Sequence, residues 1–186
     1  MVKVAITGGI GSGKSYVCRL LERRGFPVYD CDKAAKRLMS SSVEIQSSLK
    51  AVVGEGVILD GAINKAMLAA FLLENDENTR KINNIVHPAV AEDFIRSGYA
   101  WMECAILYSS GFNSLVDKVV CVTAPTEVRI DRIVRRDGIS RQKALEWINK
   151  QMPQEDVVAL SDFEIVNDGQ SNLEQQIDNI LASLFV

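Results

Sequence analysis

Short apolar runs alternate along this chain with longer stretches in which apolar residues recur every three or four positions. Residues 2–7 are apolar and β-branched and end at a glycine cluster, which predicts a buried strand. Between Lys14 and Arg24, Val17, Leu20 and Leu21 fall at helical spacing, and Gly25 is a fitting stop. Residues 26–29 read as a second strand and 102–108 as a third. A fourth, 118–123, is ended by Pro125, and a fifth spans 163–166. From Lys33 to about Gly98 the spacing is helical, with a break at GEGVILDGAIN. Asn64 is placed to cap one helix there, and residues 89–95 lie in another that follows a turn at His87-Pro88. Further helices are predicted over 126–136, ended by Gly138, from a Ser140 cap to about Met152, and over 172–184.

Apolar strands separated by helices imply an α/β fold with a parallel sheet covered on both faces. Residues 33–98 read as a helical insertion between the second and third strands, and 126–152 as a second one. The 186 residues favour one compact domain. The chain is 47% hydrophobic and 24% charged, and its net charge of −3 gives no global footprint for nucleic acid. No apolar run approaches the roughly 18 residues that a bilayer span needs. The opening MVKVAITGG is too short an apolar stretch for a signal peptide, so the expectation is a cytoplasmic protein with neither membrane nor nucleic-acid partner. Cys18, Cys31, Cys104 and Cys121 show no CxxC spacing and there is a single histidine, which argues against structural zinc and for reduced core thiols.

The first strand runs into GGIGSGKS, which fits G-x-x-x-x-G-K-[ST] with Gly8, Gly13, Lys14 and Ser15 in the defining places. Glycines let the backbone turn its N–H groups around phosphate oxygens, and the helix that follows adds its positive end. Lys14 reaches β- and γ-phosphates, and the Ser15 hydroxyl can bind Mg²⁺. The embedded Gly9-Ile10-Gly11 is no dinucleotide fingerprint, because its third glycine would stand at residue 14, which is lysine.

YDCD places Asp30 and Asp32 after the second strand, where ligands bind in open parallel sheets. A carboxylate there can accept a proton from an attacking hydroxyl, hold Mg²⁺ through water, or cap the next helix. Residues 129–150 are rich in basic side chains, with Arg129, Arg132 and Arg136 on one helical face. These arginines are either a lid that closes over ATP or a solvated basic surface. The guanine-selecting N/TKxD signature is missing, which disfavours a GTPase and leaves a small-molecule kinase.

Taken in order, ITGGIGSGKS, VYDCDKAAKRL, IVHP, VVCVTAP, RIDRIVRRDGIS, Gln151 and IVNDG make the chain resemble the dephospho-CoA kinases over essentially its whole length. That family phosphorylates the ribose 3′-hydroxyl of dephospho-CoA with ATP, the last step of coenzyme A synthesis. The resemblance implies a three-layer P-loop kinase fold with a five-stranded parallel sheet, a helical acceptor-binding insertion and a helical lid. It implies ATP as phosphate donor, Mg²⁺, dephospho-CoA as the small-molecule partner, and a monomer or small homo-oligomer.

By motif, Asp32 looks like the general base, and Lys14 and Arg136 like the phosphate clamp. Gly9, Ile10, Gly11, Ser12, Gly13, Lys14, Ser15, Tyr16, Arg136 and Asn167 look like the nucleotide site, with Asn167 on the adenine side and Ser15 at the metal. Thr7, Asp32 and His87 look like acceptor contacts; by itself, a lone histidine before proline is more often structural. Three positions depart from the family pattern. Tyr16 replaces a small hydroxyl residue. Ile106-Leu107-Tyr108-Ser109 stands where LLFE ends the third strand, with Glu103 earlier. Arg129 replaces the glutamine that opens the lid helix. Two other readings remain open at this point: a nucleoside monophosphate-type kinase on the same scaffold, and an ATP-binding protein with weak catalysis.

Overall fold

Val4, Ala5, Ile6 and Thr7 are all buried and form strand β1 (Val4–Thr7) at the middle of a five-stranded sheet. The computed structural model describes residues 2–184. In chain order it continues with α1 (Lys14–Arg23), β2 (Val28–Asp30), α2 (Cys31–Ser41), α3 (Val43–Val53), β3 (Ile58–Leu59), β4 (Ala62–Ile63), α4 (Lys65–Glu74) and α5 (Asp76–Ser97). Then come β5 (Trp101–Glu103), β6 (Lys118–Thr123), α6 (Thr126–Asp137), α7 (Arg141–Asn149), α8 (Gln154–Ala159), β7 (Phe163–Val166) and α9 (Leu173–Leu184).

The chain divides into two compact units, one of residues 2–29 with 99–184 and one of Asp30–Gly98. In the first, the strand order is β2-β5-β1-β6-β7. β1 pairs in parallel with β5, Ala5 opposite Met102, and with β6, Ile6 opposite Val120; β6 pairs in parallel with β7. The near-continuous burial of β1 and β6 is what a parallel sheet covered on both faces demands. Val4 and Ile6, two residues apart, point to the same face and meet Val17, Leu20 and Leu21 of α1 and Ile177 and Ile180 of α9. A second cluster joins Ile130 and Ile133 of α6 to Ala144 of α7, with Ile10 from the glycine loop packed against it.

The second unit is four helices and a two-stranded antiparallel hairpin, β3 with β4, which is what the GEGVILDGAIN break becomes. Asn64 caps α4 as predicted, its Oδ1 accepting the Met67 N–H at 3.2 Å. The expected turn at His87-Pro88 is not there. Both residues lie inside α5, a 22-residue helix. Proline removes one backbone bond and crowds the carbonyl four residues back. The buried row Ile82, Val86, Val90 and Phe94, at four-residue spacing, carries the helix through.

Other boundaries move, among them the start of the first strand, which is Val4 rather than residue 2. The second strand is Val28–Asp30 rather than 26–29. The third stops at Glu103 instead of running to 108. The Cys104 N–H still donates to the Ile6 carbonyl at 3.0 Å, but β1 ends at Thr7 and offers no partner further on. The following residues coil into turns that bury Leu107, so their apolarity reflects burial and not a strand. The helix predicted to reach Met152 ends at Asn149, and Pro153 leads into the unforeseen α8. Gly138, in the left-handed region at φ 66°, ends α6, and Ser140 caps α7.

All four cysteines are buried free thiols. Burial raises the Cys121 thiol to about 11 and pushes Cys18 higher still, with the neighbouring Glu103 carboxylate adding to it. Both stay protonated at neutral pH. Among the described residues, no helix is long and apolar enough to cross a membrane.

Candidate active site

The loop from Gly8 to Gly13 joins the carboxyl end of β1 to the amino end of α1. A side chain at Gly8, where φ is 139°, would collide with the Val122 carbonyl oxygen, so the loop lies directly on β6. Gly13 caps α1 with a left-handed backbone and supplies no side-chain acceptor to the helix's first amides. α2, α3, α4, α5 and α7 instead carry Asp, Ser or Asn caps that do. The open amides at the start of α1 form a helix terminus built for an anion.

The Lys14 ammonium bends back over the loop and donates to the carbonyls of Gly8 at 2.8 Å and Gly9 at 3.3 Å. The Ser15 hydroxyl donates to Glu103 Oε1 at 3.0 Å. That pairing of a hydroxyl with a carboxylate at the end of the neighbouring strand is a hard-oxygen donor set, which suits Mg²⁺. Among the described residues no group of three or more His, Cys, Asp and Glu side chains gathers to hold a metal. Mg²⁺ in kinase sites characteristically uses one or two carboxylates and takes the rest of its shell from phosphates and water. The residues present therefore fit that ion.

Tyr16 is 45% exposed in the first turn of α1, with the Arg19 guanidinium 5.6 Å from its ring centroid. Thr7 is buried at the end of β1. Beside it a cavity of about 220 Å³ opens between Gly8, Gly9, the 105–109 turn and the Lys150–Met152 segment.

The three arginines on the α6 face do not act together. Arg129 and Arg132 turn toward the loop: Arg129 Nε donates to the Ile10 carbonyl at 2.9 Å, and Arg132 Nη1 to the Gly11 and Ser12 carbonyls at 3.3 and 3.2 Å. The Arg136 side chain is 60% exposed and grips its neighbour Asp137 with two bonds of 2.9 and 2.7 Å. Asn167 is buried; its Nδ2 donates to the Ser12 carbonyl at 2.8 Å, so here it holds the loop backbone.

In the helical unit the two YDCD carboxylates separate. Asp30 is the N-cap of α2, accepting the Lys33 N–H at 2.9 Å and pairing with the Lys33 ammonium at 3.0 Å. Asp32 is exposed in the first turn of that helix. His87 is half-buried on α5, and burial lowers its pKa, which favours the neutral ring.

The loop, Lys14 and the Ser15–Glu103 pair gather at the carboxyl ends of β1 and β5, a set of groups with the chemistry to take phosphate oxygens and one that names no acceptor. A family model described as dephospho-CoA kinase matches residues 2–172. The chain belongs to the dephospho-CoA kinase family. It is similar to a dephospho-CoA kinase of Bacteroides fragilis, 40% identical over 191 residues that cover 99% of this chain and 93% of the relative. A crystal structure from Thermus thermophilus matches with a TM-score of 0.87 and 26% identity, covering 100% of this chain and 98% of the other. A dephospho-CoA kinase from Campylobacter jejuni shares the fold at a TM-score of 0.69 and 20% identity, covering 98% and 96%. Family membership makes the protein an ATP-dependent kinase. The sequence alone marks Glu103 only as a carboxylate lying earlier on the third strand than the missing LLFE glutamate. The signal was present in WMEC, a lone carboxylate closing an apolar strand.

Proposed function

We propose that the protein transfers the γ-phosphoryl group of ATP to the ribose 3′-hydroxyl of dephospho-CoA in the cytoplasm. The observation that carries this is the complete phosphate loop of Gly8–Ser15, with Lys14 folded over it, in a chain of this family. The loop amides and the start of α1 bind the polyphosphate, and Lys14 leaves its carbonyl partners for the phosphate oxygens as charge builds on the transferring group. Asp32 accepts the proton of the attacking 3′-hydroxyl. The 33–98 helices, with His87, hold the acceptor, and Thr7 is a further acceptor contact. The 126–152 segment acts as the lid, with Arg136 exchanging its Asp137 partner for a phosphate. Asn167 and Tyr16 flank the nucleotide.

Ser15 and Glu103 would hold Mg²⁺, which when bound neutralises charge on the β- and γ-phosphates. The Ser15–Glu103 bond orients the hydroxyl for that task. Glu103→Gln keeps the shape and removes the charge. It is expected to raise the Mg²⁺ concentration for half-maximal rate by about tenfold or more. A titration unchanged from the unsubstituted protein would remove Glu103 from the metal's surroundings.

Coupled ADP release tests the acceptor. Turnover is expected with dephospho-CoA and only background with nucleoside monophosphates. The reverse order would make the protein a nucleoside monophosphate-type kinase, and turnover with neither would leave an ATP-binding protein.

A further inference from the structure

Apart from the exposed Arg135, the basic side chains of α6 and α7 fall into two sets. Arg136 pairs with Asp137, Arg141 with Glu127 and Asp131, and Lys143 with Glu146. Arg129 and Arg132 form no salt bridge among the described residues, although the Glu155 charge acts on Arg129, and their guanidinium groups end on backbone carbonyls and amide side chains. Arg129 is only 5% exposed, and burial lowers its pKa, so the structure bears a cost to keep it there.

What they hold is the outer side of the glycine loop. Arg129 takes the Ile10 carbonyl; Arg132 takes those of Gly11 and Ser12. Arg132 also donates through Nη2 to the Asn167 carbonyl at 3.0 Å and to Asn167 Oδ1 at 3.1 Å, while Asn167 Nδ2 donates to Ser12. Gln151 receives the Ile10 N–H at 2.7 Å and an Arg129 Nη2 hydrogen at 3.5 Å. The fit is close. A Cβ on Gly11 would come 2.7 Å from the Arg129 carbonyl oxygen, and one on Gly9 would strike the Arg129 guanidinium.

In a planar trans peptide the carbonyl and the next residue's N–H point in opposite directions. No peptide bond here is cis. Fixing the Ile10 carbonyl therefore turns the Gly11 N–H away from α6, and fixing the Ser12 carbonyl does the same for the Gly13 N–H. The intervening Ser12 N–H is already used, donating to the Gly9 carbonyl at 3.2 Å. Of these three amides, the two left over can take a phosphate, beside the open amides at the start of α1.

We propose that Arg129 and Arg132 are positioning residues of the phosphate loop. They aim the Gly11 and Gly13 amides by gripping the carbonyls behind them, which makes α6 part of the nucleotide-binding machinery through its backbone contacts. The inference rests on the loop binding a nucleotide, and its test uses MgADP with no acceptor present, so the identity of the acceptor does not enter.

Two variants separate geometry from charge. Arg132→Lys keeps the charge but loses the fork that spans Gly11, Ser12 and Asn167. Arg129→Gln loses the charge but keeps one donor for the Ile10 carbonyl. MgADP is titrated into each while the ¹⁵N–¹H resonances of Gly11 and Gly13 are followed, with thermal unfolding as a check of folding. Arg132→Lys is expected to bind about tenfold more weakly and to lose the nucleotide-induced Gly13 shift. Arg129→Gln is expected to keep the Gly11 shift, and Arg129→Met, which leaves the Ile10 carbonyl no donor, to lose it. The proposal fails if Arg132→Lys binds with unchanged affinity and shift, or if a folded Arg129→Met keeps the Gly11 shift. If Arg132→Lys does not fold, the Arg129→Met arm decides. Failure of the unsubstituted protein to bind MgADP would overturn the phosphate-loop reading itself.

Discussion

Lys14→Ala is expected to lower kcat roughly a thousandfold, at the upper end of what one preorganised donor to a developing anion is worth. The ammonium lies over the loop, held by the Gly8 and Gly9 carbonyls, so it reaches the phosphate position without a large movement of the chain. Alanine leaves the amide cradle, the start of α1 and the Ser15–Glu103 pair in place. Binding of ATP should weaken less than turnover falls, because the charge matters most as the γ-phosphoryl group is transferred. Lys14 is only half-buried, so the melting temperature should change little. Single-turnover kinetics read both quantities. A kcat within fivefold of the unsubstituted protein would show that the amides alone carry the phosphate.

Asp32→Asn is the second large effect, with kcat expected to fall about a hundred- to ten-thousandfold, the usual worth of a positioned base. The structure supplies its own control. Asp30 is engaged as the α2 cap and as the partner of Lys33, and asparagine caps a helix as well as aspartate does. Asp30→Asn should therefore keep most of the activity. Equal losses in the two variants would take the role from Asp32.

The parts of this fold that are legible in the sequence are the local ones. β6 and β7 stand where the apolar runs place them, because Pro125 and the polar residues around them leave no other ends. Gly138 ends α6 and Ser140 opens α7 through backbone chemistry that each residue carries with it. The boundaries that moved depend on partners far along the chain. β5 stops at Glu103 because β1 stops at Thr7, and α5 runs through Pro88 because its buried row outweighs one lost backbone bond.

The site divides in the same way. GGIGSGKS announces its own chemistry, since the types and spacing are the function. Glu103 is 88 positions from Ser15 and becomes a partner only through the β1–β5 pairing. Arg129 and Arg132 show helical spacing with Arg136, but spacing alone does not tell which of the three meets the loop. Burial against Ile10 and Gly11 decides it, and nothing in the sequence near residue 130 encodes that contact. For Tyr16, the structure gives exposure and the Arg19 contact and no explanation of why a phenol replaces a small hydroxyl residue.

The central claim is the transfer of a phosphoryl group to one hydroxyl of one acceptor. Its most direct measurement is ³¹P NMR of the product formed from ATP, Mg²⁺ and dephospho-CoA by the purified protein. A new monoester resonance at the ribose 3′ position, growing in step with ADP and absent with Lys14→Ala, is the expected result. ADP formed without that resonance, or a monoester on a nucleoside monophosphate but none on dephospho-CoA, would contradict the account.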